Sequence, residues 1–337
     1  MTRAVGRCPM RVLMVTTEWP RVPWGTAQFV ARQAAYLRAA GIEVEVFQFH
    51  GRRNPLNYAS AWLEVQRRLS RERFDLVHAQ FGQSALLALP KRVPLVITFR
   101  GDDIQGILDD QDGHLSLAGR ALRMFCRWVA HAADAVIVVS AHMQRYVQNG
   151  KPVHVVPSGI DLDLFRPQPQ APARARLGLP ADESLVLFVG NPKLARKRFA
   201  LAQRAVELLS ATMPARLVVG WQVPHPQIPD YMAACDALVF TSSQEGSPNA
   251  VKEALACNLP VVSVPVGDVA ERLEGVAGCE LCADDRAETI AAALARVLTN
   301  RGGQFDGRAA VRQLDEHLLT QRVIGIYHGV LNGRAPA

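Results

Sequence analysis

Two glutamates, Glu245 and Glu253, stand eight residues apart in TSSQEGSPNAVKEALACNLPVVSVPVG. Between them, Ser247 and Pro248 mark a helix start. Serine is a good N-cap, and proline suits the first helical position. Asn258 can take the left-handed position that closes such a helix, and Pro260 prevents continuation. The strand-like run ALVFTS comes just before, so the helix begins at the carboxyl edge of a sheet, where α/β domains bind ligands. The free N–H groups of a helix start, and its dipole, attract an anion, and a diphosphate fits. Glu253 lies ~7.5 Å along the axis from Pro248 at helical rise, about the depth of a ribose attached to that diphosphate. A carboxylate there accepts hydrogen bonds from both ribose hydroxyls. Glu245, on the turn before the helix, would face a sugar on the other phosphate. The stretch therefore reads as a site for a nucleotide-diphosphate sugar. The plainer reading is a pair of solvated surface charges.

A second group of residues fits the same ligand. Arg196 and Lys197, in GNPKLARKRF, follow the strand-like run LVLFVG. At such an edge, cations would neutralise a leaving diphosphate. The plainer reading is a solvated helix start, although helix starts disfavour cations. Gly25, in PWGTAQ, follows the first strand and would let phosphates approach the backbone.

The elements that must hold these residues alternate along the chain. Strands are expected at RVLMVTT, EVEVFQF, DLVHA, PLVITF, AVIVV and VHVV, with helices between them at Thr26 to Ala40, Tyr58 to Arg73 and His114 to Ala132. Alternation implies a doubly wound parallel sheet. The piece RPQPQAPARARLGLP, rich in Pro and Arg, reads as a linker. The rhythm then restarts with LVLFVG, a helix near Ala195 to Leu209, RLVVG, ALVFTS and PVVSV. The fold expected is α/β, with two Rossmann-like domains facing a cleft. The first covers residues 10–160, the hinge 161–180 and the second 181–307. A helical stretch over 308–331 would pack back on the first domain.

Bulk properties agree with an ordinary globular chain. It has 337 residues, 49% of them hydrophobic, with a formal net charge of +7. That length favours two domains. The apolar runs are strand-length, and the first ten residues lack an apolar stretch. A cytoplasmic protein is expected, with peripheral contact to the inner face of a membrane as an added expectation. No zinc-finger, helix-turn-helix or RNP signature accompanies the positive charge, so nucleic acid is not an expected partner. Cys279 and Cys282 form a lone C-x-x-C without further ligands at matching spacing, so no metal is expected. No cofactor is expected beyond the donor substrate. The segment YASAWLEVQRRLSRERF, Tyr58 to Phe74, puts Trp62, Val65 and Leu69 on one helical face and arginines on the other. It could lie on an anionic bilayer or pack its apolar face on the sheet.

Several ordered motifs resemble a known family. Glu245 to Glu253 matches the E-x7-E motif of retaining glycosyltransferases with the two-Rossmann (GT-B) fold. Almost the whole chain is similar to glycosyltransferase family 4, through RVLMVTTEWP, VITFRGDD, AADAVIVVSAHM, VHVVPSGIDLDLFRP and EGSPNAVKEALACNLPVVSVPVGDV. The resemblance implies acceptor binding in the first domain, with Arg100, Asp102 and Asp103 as the candidates, and donor binding, from a UDP- or GDP-sugar, in the second. It makes Glu245, Arg196 and Lys197 the catalytic group. Gly25, Gly246, Ser247, Pro248, Asn249, Ala250 and Glu253 would bind the donor. It implies transfer to a sugar or lipid-linked acceptor with retention and no metal, in surface polysaccharide or glycoconjugate assembly.

The chain departs from the family pattern in three places. The usual glycine pair after the first strand is only Gly25-Thr26. The histidine of TFHGSD is Arg100, which either binds an acceptor phosphate or pairs structurally with Asp102 or Asp103. The βα unit that usually helps hold the base is shortened, leaving Trp221 and Gln222 as candidates. His78 reads as a structural histidine, and His225 carries no clear signal. A GT-B phosphorylase, kept in view by Arg100, and a non-catalytic nucleotide-sugar binder are the alternatives. A dehydrogenase lacks its G-x-G-x-x-G turn.

Overall fold

The computed structural model describes residues 9–20, 22, 27–51, 54–109, 114–147, 150–300 and 305–333. Gly25 and Thr26 lie outside the described residues.

The first domain is a six-stranded parallel sheet. Its strands are β1 (Arg11–Thr16), β2 (Glu43–Gln48), β3 (Leu76–Gln80), β4 (Leu95–Phe99), β5 (Ala135–Val138) and β6 (Val153–Val155), in the order β2-β1-β3-β4-β5-β6. Both faces are covered, so the inner strands are continuous apolar runs. Helices α1 (Gln28–Ala39), α2 (Pro55–Arg71), α3 (Asp102–Gln105) and α4 (Leu117–Ala132) join them.

Helices α2 and α4 share one apolar cluster on the same side of the sheet, through Ala61, Val65 and Leu69 of the former and Cys126, Val129 and Ala130 of the latter. Trp62 packs against that cluster, and its Nε1 donates to the Leu89 carbonyl at 2.6 Å. The Trp62–Val65–Leu69 face is thus turned to the sheet. Of the two readings of this segment, the one that packs on the sheet holds and the one that lays this face on a bilayer does not, because the protein's own core buries it.

The second domain is a five-stranded parallel sheet of β7 (Ser184–Val189), β8 (Ala215–Gly220), β9 (Ala237–Phe240), β10 (Val261–Ser263) and β11 (Glu280–Leu281), ordered β11-β10-β9-β7-β8. Before it comes α5 (Gln170–Leu177), in the stretch expected to be a linker. Pro172 falls in the first turn, where its missing N–H costs nothing. Gly178 closes the helix at φ 63°. Arg174, only 5% exposed, donates to the carbonyls of Ala234, Pro180 and Ala181 and to the Asp236 carboxylate at 2.8 Å. A buried arginine with that many acceptors is a structural clamp, so the Pro- and Arg-rich composition concealed a packed helix.

Further helices are α6 (Phe199–Ser210), α7 (Ile228–Ala234), α8 (Asn249–Ala256), α9 (Val269–Leu273) and α10 (Ala287–Thr299). The C-terminal stretch is broken into α11 (Gly307–Val311), a short 3-10 turn and α12 (Glu316–Leu331). Helix α12 packs on α1 of the first domain. The Tyr327 hydroxyl lies 2.6 Å from His78 Nδ1, and Thr98 Oγ1 lies 2.7 Å from His78 Nε2. Burial, and then the nearby Arg100 charge, push the His78 pKa down to about 3, so it is a neutral structural histidine. Arg32 of α1 donates to Glu316 at 2.9 Å and to the Gly159 carbonyl at 2.6 Å, joining α1, α12 and the segment that leads into the hinge.

Candidate active site

Each sheet changes winding direction once, between β1 and β3 and between β7 and β9. Such switch points open crevices at the carboxyl ends of strands. In the second domain, the loop after β7 carries Arg196 and Lys197, and the loop after β9 carries Glu245. Adjacent strands therefore bring the expected cations and carboxylate together. Lys197 Nζ lies 2.6 Å from Glu245 Oε1, and Arg196 Nη1 lies 3.1 Å from the same oxygen. Burial raises the Glu245 pKa, but the charges of Lys197 and Arg196 outweigh it and the carboxyl ends below its ordinary value. Arg196 and Lys197 sit in a 3-10 turn ahead of α6, with Arg198 at φ 48° between. They precede the first turn of α6.

Helix α8 starts at Asn249, one residue later than an N-cap at Ser247 would place it. Its cap position is Pro248, and no side chain caps it. Ser247 instead donates to Asp268 Oδ2 at 2.8 Å. The first-turn N–H groups of α8 are thereby left without a side-chain acceptor, and the Asn249 Oδ1 atom is buried without a partner among the described residues. Asn258 closes the helix at φ 54°, as expected.

A cavity of about 270 Å³ runs along this surface. Gly190, Lys197, Glu245, Pro248, Asn249, Ala250 and Glu253 line it from the second domain, and Gln28, Phe29 and Arg32 from the first. Glu253, 5% exposed, lies 3.1 Å from His225 Nε2. Burial acts to raise its pKa, but the His225 hydrogen bond and charge bring it below the ordinary value. His225 also meets the ring of Phe165 edge-on at 5.2 Å. It had carried no signal because its partner is distant in sequence. Trp221 and Gln222 do not line this cavity.

Gly246 explains itself by proximity. A Cβ there would lie 2.4 Å from the Arg100 carbonyl and 2.9 Å from Val139, both in the first domain. Only glycine lets the two edges approach this closely.

The first-domain residues divide. Asp102 faces the cleft: its Oδ2 is 3.7 Å from Arg196 Nε, and its Oδ1 accepts from Gln244 Nε2 at 3.1 Å. Burial leads in raising its pKa. Asp103 is 4% exposed and accepts from the backbone N–H groups of Gly82, Arg100, Gly101 and Ile104. Burial still lifts its pKa to about 6.

Arg100 donates to Gln80 Oε1, to Gln33 Oε1 at 3.0 Å and to Ser158 Oγ at 2.7 Å, and it stacks over Phe29 at 4.8 Å. Its side-chain partners are neutral, and burial lowers its pKa to about 10. Neither expected role of Arg100 is the one it plays here. Beside Asp102, a second cavity of about 450 Å³ is lined by Ile107, Leu108, Leu194, Arg196 and Gln244, among others.

One buried cation had been missed. Lys252 is fully buried in α8, and its Nζ donates to the Ser158 carbonyl, just ahead of the hinge, at 2.8 Å. Burial is the leading cause that lowers its pKa to about 7. Among the described residues, no group of three or more His, Cys, Asp or Glu is arranged to hold a metal ion, and no helix is long and apolar enough to cross a membrane.

Two family models match the chain, one to each domain: Glycosyltransferase Family 4 over residues 24–164 and Glycosyl transferases group 1 over residues 186–300. The chain belongs to the family 4 glycosyltransferases of the GT-B fold. Among its relatives is TuaC of Bacillus subtilis, a glycosyltransferase named for teichuronic acid biosynthesis. The two are 32% identical over 220 residues, 58% of this chain and 54% of that one. The D-inositol 3-phosphate glycosyltransferase 1 of Catenulispora acidiphila is 29% identical over 315 residues, 77% of this chain and 73% of that one. The chain thus spans about half the length of the first of these relatives. Among solved structures, sucrose-phosphate synthase from Thermosynechococcus elongatus aligns with a TM-score of 0.79 at 19% identity, covering 96% of this chain and 100% of that one. Anabaena HepE in complex with UDP-glucose aligns at 0.69 and 19% identity, over 94% and 98%. These structural likenesses concern the fold alone.

Proposed function

We propose that the protein transfers a glycosyl group from a nucleotide-diphosphate sugar to a hydroxyl acceptor with retention of anomeric configuration. The observation that carries this reading is the cavity between the domains. Its lining includes Glu253 beside His225, the uncapped start of α8, and Lys197 with Glu245. These suit ribose, diphosphate and sugar in turn. A UDP-sugar is the first donor to test, because HepE is a structural neighbour described with UDP-glucose. The similarity to TuaC supports a surface polysaccharide or glycoconjugate as product.

On this reading the bond from the anomeric carbon to the diphosphate oxygen breaks as the acceptor oxygen bonds the same face. The acceptor proton passes to a phosphate oxygen. Arg196, Lys197 and the N–H groups at the start of α8 stabilise the charge that builds on the diphosphate. Glu245 holds both cations in place and faces the sugar, with no covalent step assigned to it. The second cavity, across Arg196, would receive the acceptor. A phosphate acceptor loses its support, because the Arg100 side chain is engaged by Gln33, Gln80 and Ser158.

The test incubates the protein with a panel of UDP-, GDP- and dTDP-sugars and lipid-linked or free sugar acceptors. Mass spectrometry identifies the product, and proton NMR its anomeric configuration. Release of nucleoside diphosphate with a retained linkage is expected. An inverted linkage would overturn retention. Binding of a donor without turnover under any condition would make the protein a binder.

A further inference from the structure

We infer that the outer face of the α2–α4 layer of the first domain docks on an anionic lipid bilayer, with α4 as its main contact. Ten large apolar side chains are exposed among the described residues, and five of them belong to these two helices: Leu56, Leu63, Leu117, Met124 and Trp128. Isolated exposed leucines need no explanation. Here three of the five fall on one line. Leu117, Met124 and Trp128 follow one another at helical spacing along α4, with Ala121 between them, and are 82%, 71% and 58% exposed. Phe125 extends the line sideways, its ring 5.9 Å from that of Trp128. The opposite face, Cys126, Val129 and Ala130, is buried on the sheet. Helix α4 is therefore apolar on two sides, and among the described residues only one is covered.

The charge beside this stripe selects the occupant. LAGRALRMFCRWVAHA contains three arginines, Arg120, Arg123 and Arg127, a histidine and no acid. On the helix the arginines flank the apolar stripe along one side, with Arg120 and Arg127 exposed. A second copy of the chain seated here would set this cationic flank against its own like. An anionic bilayer meets both features: acyl chains receive Leu117, Met124 and Trp128, and headgroups pair with the arginines. Each arginine held near such a surface is worth about fivefold in affinity, so three give roughly a hundredfold.

Docking also sets the direction in which the molecule faces. Just before α4, Leu108 bridges to Leu115, and Ile107 and Leu108 line the cavity beside Asp102 and Arg196. A bilayer under α4 thus lies next to the apolar rim of that cavity. The docking does not depend on the transfer reaction, and its test needs no substrate.

Flotation with vesicles tests it. In low salt the protein should float with vesicles of phosphatidylglycerol and phosphatidylcholine in equal parts and not with phosphatidylcholine alone. High salt should weaken the binding, because the attraction is screened. The Leu117→Ser/Met124→Ser/Trp128→Ser variant should lose at least about tenfold of the binding, as three apolar side chains no longer enter the acyl region. Arg120→Glu/Arg123→Glu/Arg127→Glu should lose about a hundredfold or more. Both variants should unfold cooperatively at the wild-type denaturant midpoint, since the altered side chains are on the outer arc of α4. Wild-type protein that stays with the soluble fraction in low salt overturns the proposal. So does a serine variant that floats like wild type. A wild-type dimer in sedimentation equilibrium that the serine variant dissolves, without flotation of either, would assign the face to a second copy instead.

Discussion

Two sets of cations flank the cleft, and they differ in what holds them. Arg196 and Lys197, from the second domain, share a single carboxylate oxygen of Glu245. Arg100, from the first, is held by Gln33, Gln80 and Ser158, all neutral. A cation paired with a carboxylate at the wall of a cavity can exchange part of that pairing for a bound phosphate. A guanidinium most of whose donors are engaged by neutral side chains braces the wall and offers an anion little without breaking those bonds. The contrast separates a charge placed for chemistry from a charge placed for architecture, and position at a strand end had not distinguished them.

The strongest way to break this comparison is to neutralise the first set. Arg196→Met/Lys197→Met should lower turnover by about 10²–10³ while weakening donor binding less, because charge builds on the diphosphate as the bond breaks. The variant also leaves Glu245 buried without its cations, and burial then drives its carboxyl upward. Adding Glu245→Gln should restore stability without restoring turnover. Steady-state kinetics with the donor identified by the panel, beside denaturant unfolding, separates the two effects. Turnover near wild type in the double variant would move the diphosphate site elsewhere.

The second set should answer the opposite way. Arg100→Met removes a half-buried charge and leaves Gln33, Gln80 and Ser158 without its donors. An unsatisfied buried polar group costs about 1–3 kcal/mol, so unfolding free energy should drop by that order. Calorimetric affinity for the nucleoside diphosphate should not change. A loss of that affinity with stability intact would return Arg100 to the ligand and erase the distinction.

The same contrast shows what was legible in the amino-acid sequence. The second-domain site was, because its parts are contiguous: one motif carries Glu245 to Glu253, and another carries Arg196 and Lys197. Strands were legible too, since apolar runs buried on both faces differ sharply from their surroundings. The roles of Arg100 and Asp103 were not. Whether a charge faces a ligand or a ring of backbone amides depends on neighbours far along the chain, such as Gln33 and Ser158 for Arg100. Helix α5 was hidden for a similar reason: Arg174 stabilises it through Ala234 and Asp236, some 60 residues away. His225 and Lys252 escaped notice because their partners, Glu253 and the Ser158 carbonyl, lie in other elements.

The finest comparison is between the two glutamates themselves, and it turns on His225. Glu245 is kept ionised by two permanent cations, whereas the leading opponent of burial at Glu253 is one hydrogen bond from His225. His225→Ala removes that bond. At neutral pH Glu253 stays ionised through the remaining influence of Arg32 and Lys252, so donor affinity should fall only about two- to tenfold, the worth of one hydrogen bond. In mild acid the loss should grow. A carboxylate whose folded pKa lies below its ordinary value keeps its charge above that value and loses it as pH falls through the folded one. Without His225, burial moves the Glu253 pKa upward, so the variant protonates at a higher pH than wild type and stops accepting from ribose hydroxyls sooner. His225→Gln, which can still donate through its amide, should recover most of the neutral-pH affinity. Nucleoside diphosphate affinity measured by calorimetry from neutral to mildly acid pH checks this. Parallel curves for wild type and His225→Ala would mean that His225 does not hold Glu253, and that the two glutamates are kept ionised in the same way.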